Sequence, residues 1–271
     1  QSLRPYPYYQ GISVRSPRYG TFASHLLLVS VEKRMSQGFT MLFSYTAGKL
    51  ISNGNQNILI DFATEAAPTA GFQNAKFDRS SDRSIDPRDV SQRAVVSALY
   101  ELPFGRGKRW SFENPVASRL AGGWQINTIG TMQTGRPLGI TGANNFLANR
   151  PNSTGTSAKL DNRTATRWFD TLQFVNPPNF TYGNLGPVLP DVREPGIVNW
   201  DLSLIKNTVI TERCSLQFRA EAFNFMNHVN LGRPGTGFSP GPTGLNQSGS
   251  FGVITSADPA RIVQLGLKLI F

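Results

Sequence analysis

Residues 260–271 read Ala-Arg-Ile-Val-Gln-Leu-Gly-Leu-Lys-Leu-Ile-Phe, and they constrain the chain more than any other stretch. Val263, Leu265, Leu267, Leu269 and Phe271 take the odd positions, with Gln264, Gly266 and Lys268 between them. A repeat of two sends successive side chains to opposite faces of a strand, so this stretch has one apolar and one polar face. Its length suits the roughly 9–11 residues with which a tilted strand crosses a bilayer, against about five or six in a soluble sandwich. The sequence stops on an aromatic residue, as a strand does when it ends at an interface. The expectation is a membrane-crossing strand.

Composition is compatible with that expectation. The mean hydropathy is −0.25, and no apolar run approaches the roughly 18 residues of a membrane-spanning helix. Barrel strands hide their apolar residues by alternation, so neither number counts against a barrel. Charged residues make up only 16%, while 26 Gly and 18 Pro favour strands joined by polar loops. The formal charge of +10 raises nucleic acid as a partner, but Arg34, Arg83, Arg106, Arg163 and Arg219 are scattered and no run of five bases occurs. No nucleic-acid partner is expected; a segment outside this sequence is expected to carry the balancing acid. Cys214 is the single cysteine, which excludes an internal disulfide. With Gln1 in first place and no signal peptide, the chain is expected to be cut from a longer precursor.

Alternation recurs six more times. Residues 1–20 read as an irregular lead-in with a short strand near 11–14, and residues 21–271 as the barrel portion. Strands are expected at 22–34, 39–47, 91–102, 124–135, 197–206, 215–226 and 260–271. Ser36-Gln37-Gly38 marks a tight turn between the first two. The connections run short, long, fairly short, long, short, long, so the long ones gather at one end and the short ones at the other. Outer-membrane barrels have this arrangement, with periplasmic turns and extracellular loops. A compact soluble domain would not carry loops of forty or more structureless residues.

Each strand then has two faces. Val263, Leu265, Leu267, Leu269, Leu216, Phe218, Trp200, Leu202 and Leu204 are assigned to lipid. Arg219, Glu221, Gln217, Asp201, Asn199, Gln264 and Lys268 are assigned to the lumen, since a dry core would leave them unpaired. Aromatic residues bracket the band: Phe39, Tyr100, Phe104, Trp110 and Trp124 near the short turns, Tyr45 and Trp200 toward the loops. Seven strands cannot close a wide barrel, and bacterial single-chain barrels use even numbers. The fold class is therefore all-β, an antiparallel up-and-down transmembrane barrel present here in part, as its C-terminal portion.

Several segments resemble one family. Lys33-Arg34-Met35-Ser36-Gln37-Gly38-Phe39-Thr40 with Ser44-Tyr45-Thr46 resembles a hairpin of the TonB-dependent receptors of the Oar-like type, which often carry a carboxypeptidase-regulatory-like domain. Tyr100-Glu101-Leu102-Pro103-Phe104-Gly105-Arg106-Gly107 with Gly122-Gly123-Trp124-Gln125 is similar to the next hairpin. Asn199–Asn207, Phe218–His228 and the Phe-terminated strand are similar to the last three strands. The resemblance implies a barrel of about 22 strands with a plugged lumen. It also implies a bacterial outer-membrane location, an upstream plug domain, contact with the TonB complex through an N-terminal part, and energised uptake of an unknown extracellular ligand. In that family the terminal aromatic residue signals to the barrel-assembly machinery, the role that Phe271 matches.

Catalytic constellations are missing. His25 and His228 lie far apart, no Cys/His zinc spacing occurs, and Gly105-Arg106-Gly107-Lys108 lacks the spacing of a phosphate-binding loop. No Gly-x-Ser-x-Gly elbow is present. The chain is expected to be neither an enzyme nor a cofactor carrier. Asp82, Asp86, Asp89, Asp161 and Asp170 in the loops offer calcium-type ligands. Trp168, Phe169 and Tyr182 offer rings to a ligand. Those same rings suit the alternative, a secreted all-β carbohydrate-binding or adhesive module, against which the loop asymmetry and Phe271 speak.

Overall fold

The computed structural model describes residues 20–53, 80–105, 107–144 and 150–271. Residues 1–19 of the lead-in expected over 1–20, its short strand included, and Arg106 lie outside the described residues. Among the described residues ten strands follow in chain order: β1 (Phe22–Ser36), β2 (Phe39–Ser52), β3 (Ser84–Ile85), β4 (Gln92–Glu101), β5 (Trp124–Gln133), β6 (Asn152–Ser153), β7 (Phe174–Val175), β8 (Ile197–Thr211), β9 (Cys214–Phe223) and β10 (Ile262–Ile270). One short helix, α1 (Pro115–Ala121), lies between β4 and β5.

The seven long strands form one antiparallel sheet in the order β1-β2-β4-β5-β8-β9-β10, each beside its sequence neighbour; β3 pairs with the end of β2. Alternation dictates this meander, because a slip of one residue would exchange the two faces of a strand. Turn chemistry fixes the first hairpin. Gln37 and Gly38 take φ of 53° and 77°, the left-handed pair whose twist matches that of the flanking strands.

Strand ends depart from the alternating stretches, each for a pairing reason. β2 continues past residue 47 to Ser52 because Gly48 through Ser52 stay paired with Leu26 through Phe22. β8 runs to Thr211 because Lys206 and Val209 pair with Phe218 and Ser215. β9 stops at Phe223 rather than 226, where Asn224 turns to φ 50° and its amide side chain bonds the backbone of His228. Helix α1 has no apolar repeat to announce it, but Asn114-Pro115 is a start signal: the Asn114 side chain accepts from the Val116 N–H at 2.9 Å.

The buried apolar residues are not in the long strands. Leu138, Ile140, Phe169, Val192, Phe238 and Phe251 all come from the two long connections 134–196 and 224–261. Among the described residues the sheet is a single layer, with no second long-stranded sheet or helical layer upon it, whereas a soluble sandwich buries one face of each sheet against the other. Among the described residues β1 and β10 each pair with one strand only, leaving an open edge on either side.

Candidate functional site

Strand register sorts the side chains into two faces. Val263, Leu265, Leu267 and Leu269 stand opposite Ala222, Ala220, Phe218 and Leu216. Ala222 and Ala220 stand opposite Leu202 and Leu204. Trp200, two residues before Leu202, shares their face and stands opposite Gly130. The nine residues assigned to lipid thus share one face. The register continues that face through Ile126, Tyr100, Ala98, Val96, Phe43, Met41 and Phe39 to Val31 and Val29. It is uncovered: Leu265 and Leu267 are 69% and 70% exposed.

Charge on this face is confined to its ends. At the short-turn end Lys33 lies 5.0 Å over the Phe39 ring. There Lys206 lies 4.8 Å over the Trp124 ring and donates to the carbonyls of Arg119, Leu120 and Gly122. At the opposite end His25 faces Lys49. Between them the seven strands carry no ionisable group on this face except the Tyr45 and Tyr100 phenols. So large a contiguous apolar surface is not tolerated on a soluble monomer. Aromatic residues flank the band as expected, Phe39 meeting Tyr100 edge-on at 6.2 Å.

The second face holds the residues assigned to the lumen. Glu221, Arg219 and Gln217 stand opposite Gln264, Gly266 and Lys268. Asp201 and Asn199 share their face through β8, and Asn199 donates to Asp201 at 3.0 Å. Arg219 donates to Gln217, which donates to Asn207, both at 2.8 Å. This face is mostly polar along the middle of β8–β10, with Ile205 opposite Arg219, and more mixed farther along, where Leu42, Ser97, Ile129 and Asp201 succeed one another across β2–β8. On β1 both faces are apolar near the loop end, with Leu26 and Leu28 on the second face.

The long connections all leave one end of the sheet, and two of them fold together into a layer of their own. Phe238 N–H donates to the Thr141 carbonyl at 2.7 Å, Trp168 N–H to Gly252 at 2.8 Å and Ile254 N–H to Ala165 at 2.7 Å. Four phenylalanines fill the centre: Phe251 meets Phe169, Phe174 and Phe238 edge-on at 5.0, 5.5 and 5.9 Å. Arginine–carboxylate pairs tie the layer to the strand ends. Arg193 Nη2 lies 2.6 Å from Asp89, whose other oxygen accepts from the Leu50 N–H of β2 at 2.7 Å. Arg150 and Asp82 form a fully buried pair at 2.6 Å. Asp86 accepts from Ser52 of β2 and from Arg88. Burial pushes the Asp86 carboxyl up, but the bonds from Arg88 and Ser52 outweigh it and hold it below the usual carboxylate value. Asp170 is lowered too, first by the Gln173 amide and then by the Leu172 N–H and Arg167.

One sequence expectation needs correcting at this end. Phe169 is 0% exposed at the centre of the layer, so it offers no ring to a ligand. Trp168 is half-buried, its indole N–H donating to the Arg193 carbonyl at 2.7 Å with Arg163 over the ring; Tyr182 keeps an exposed ring. The aspartates do not converge on a metal. Asp82, Asp86, Asp89 and Asp170 each face an arginine, and among the described residues no group of three metal-ligating side chains occurs. Sequence reading found the loops but not their core, because apolar residues spaced tens of positions apart leave no periodic signal.

A one-layer antiparallel meander with an uncovered apolar face, charged only at its ends, and all its long connections at one end is a membrane β-barrel domain. The family model of the outer membrane beta barrel domain matches residues 1–264, and the chain belongs to that family, which resides in the bacterial outer membrane. No curated protein and no solved structure matches the chain.

Proposed function

We propose that the chain forms part of the wall and the ligand-catching loops of a TonB-dependent outer-membrane receptor of the Oar-like type. The apolar face meets outer-membrane lipid, and the face bearing Arg219, Glu221, Gln217, Asp201, Asn199, Gln264 and Lys268 meets the lumen. The observation that carries this reading is the folded loop layer: it stands at one end only and is bonded to the strand ends through Arg193–Asp89 and the Asp89 carboxylate that accepts from Leu50 of β2. A pre-ordered layer at the mouth of a polar passage is built to capture a solute, since ordering is complete before binding. The open edges at β1 and β10 call for further strands, and the Oar-like resemblance adds a plug and a TonB contact upstream.

The test is energised uptake. Depletion of complex nutrient medium is compared by metabolite profiling in cells with the intact gene, cells without it, and cells lacking the TonB complex. Solutes whose depletion requires both the gene and the TonB complex support the reading. Gene-dependent depletion that continues without the TonB complex contradicts it.

A further inference from the structure

The 103–123 connection leans on the apolar face and leaves two adjoining hollows there. One is an apolar pocket of about 370 Å³ lined by Leu102, Phe104, Phe112, Ala121, Trp124 and Leu204. Its volume falls within the range of small-molecule sites. The other is a polar cleft of about 900 Å³ that shares Phe104 and Phe112 with the pocket and carries Lys108, Arg119, Glu113 and Glu212. Among the described residues Arg119, Glu113 and Glu212 make no ion pair, while Lys108 holds Glu101 at 2.7 Å. Helix α1 is fixed between the hollows by Lys206 and by the Trp124 indole N–H, which donates to the Leu120 carbonyl at 3.0 Å. Trp110, Val116 and Leu120 stay exposed around them.

An apolar pocket joined to a cleft in which, among the described residues, Arg119, Glu113 and Glu212 have no ion partner matches one chemistry. We propose that this end of the sheet binds a phospholipid whose headgroup joins a phosphate to a primary ammonium. An acyl chain fills the pocket, Arg119 with Lys108 faces the phosphate, and Glu113 with Glu212 accepts from the ammonium. A soluble peptide ligand would leave Trp110, Val116 and Leu120 in water, whereas at a membrane interface Trp110 sits at headgroup level and Val116 and Leu120 meet acyl chains. The inference rests on the reading that the apolar face meets lipid.

The intact protein, purified from membranes in mild detergent, is exchanged with phosphatidylethanolamine, phosphatidylglycerol or phosphatidylcholine. Retained lipid is then counted by native mass spectrometry. The protein is expected to retain phosphatidylethanolamine roughly fivefold over the other two, about the effect of one charge pairing at a membrane surface. Ala121→Phe, which fills the pocket, should lose all three lipids. Arg119→Gln should weaken all three, and Glu113→Gln with Glu212→Gln should erase only the preference for ethanolamine. Equal retention of the three lipids, or retention unchanged by Ala121→Phe and Arg119→Gln in protein that still migrates as folded, overturns the site. Quenching of Trp200 by brominated acyl chains, taken as the difference from Trp200→Phe, reads the sheet separately. Trp200 quenched with no lipid retained refutes the site and leaves the lipid-facing sheet standing. Trp200 unquenched refutes both.

Discussion

Gly130 shows how a single residue can set one patch of the apolar face. A methyl group at its Cα would stand 2.7 Å from the Trp200 ring, so the missing side chain is the hollow in which the indole lies. The indole N–H donates to the Thr128 hydroxyl at 2.6 Å, fixing the ring flat over β5. An aromatic residue covering a glycine on the neighbouring strand also pins their register. Gly130→Val should therefore expel the indole and break its hydrogen bond, at about 1–3 kcal/mol, the usual cost of overpacking. A changed Trp200 emission and a lower unfolding midpoint would check it; an unchanged midpoint would mean that the ring is not packed there.

At the scale of elements, strands and loops hold together by different means. The strands are specified locally by alternation and turn residues, and for that reason they are readable from the sequence. The pairs Leu265–Ala220 and Leu204–Ala220, for example, follow from parity once the hairpins are placed. Their ends were less readable, since β2 persists to Ser52 only because β1 lies beside it. The loop layer was unreadable: Leu138, Phe169, Phe238 and Phe251 meet across a hundred residues with no periodic mark. Phe251 touches three other rings, and Phe251→Ala should cost about 3–5 kcal/mol. Because no long strand contributes to that core, faster hydrogen exchange is expected in 134–196 and 224–261 with little change in β8–β10. Uniform loss across the sheet would contradict a separately packed layer.

The long connections should respond to acid. Asp86 and Asp170 are both held below their ordinary value of 3.8. A carboxyl lowered on folding stabilises the fold fully above its unfolded pKa, and that contribution is lost as pH falls through the folded value. The loops should therefore resist proteolysis at neutral pH and down to about pH 4, then become cleavable below it. In Asp86→Asn, part of that acid step should be missing. Loops that loosen instead between pH 6 and 8 would point to another group.

At the scale of the whole molecule, the apolar residues that a soluble protein would bury are spread over one uncovered face. The residues that are buried form a cap at one end. The hydrophobic effect acts twice, once among loop phenylalanines and once through a solvent that is itself apolar. The family of the chain and its sheet agree on a barrel of the outer membrane. The sequence already contained the decisive signal in its last strand, where Val263, Leu265, Leu267 and Leu269 take alternate positions. What parity could not reveal was the mixed character of the second face across β2–β5, where Leu42 and Ile129 stand among polar neighbours. Those strands alternate less cleanly because both their faces carry apolar residues.

The most direct measurement compares arginine at neighbouring positions of β10 in the intact protein. Leu265→Arg and Leu267→Arg each place a charge on the apolar face, at roughly 2–4 kcal/mol near the bilayer midplane. Gln264→Arg places the same charge on the opposite face, where Lys268 already stands. Membrane fractions should lose the folded, heat-modifiable protein in the double variant Leu265→Arg/Leu267→Arg and keep it in Gln264→Arg. Insertion of the double variant at the level of the parent, or equal loss from Gln264→Arg, would contradict a lipid-facing odd row.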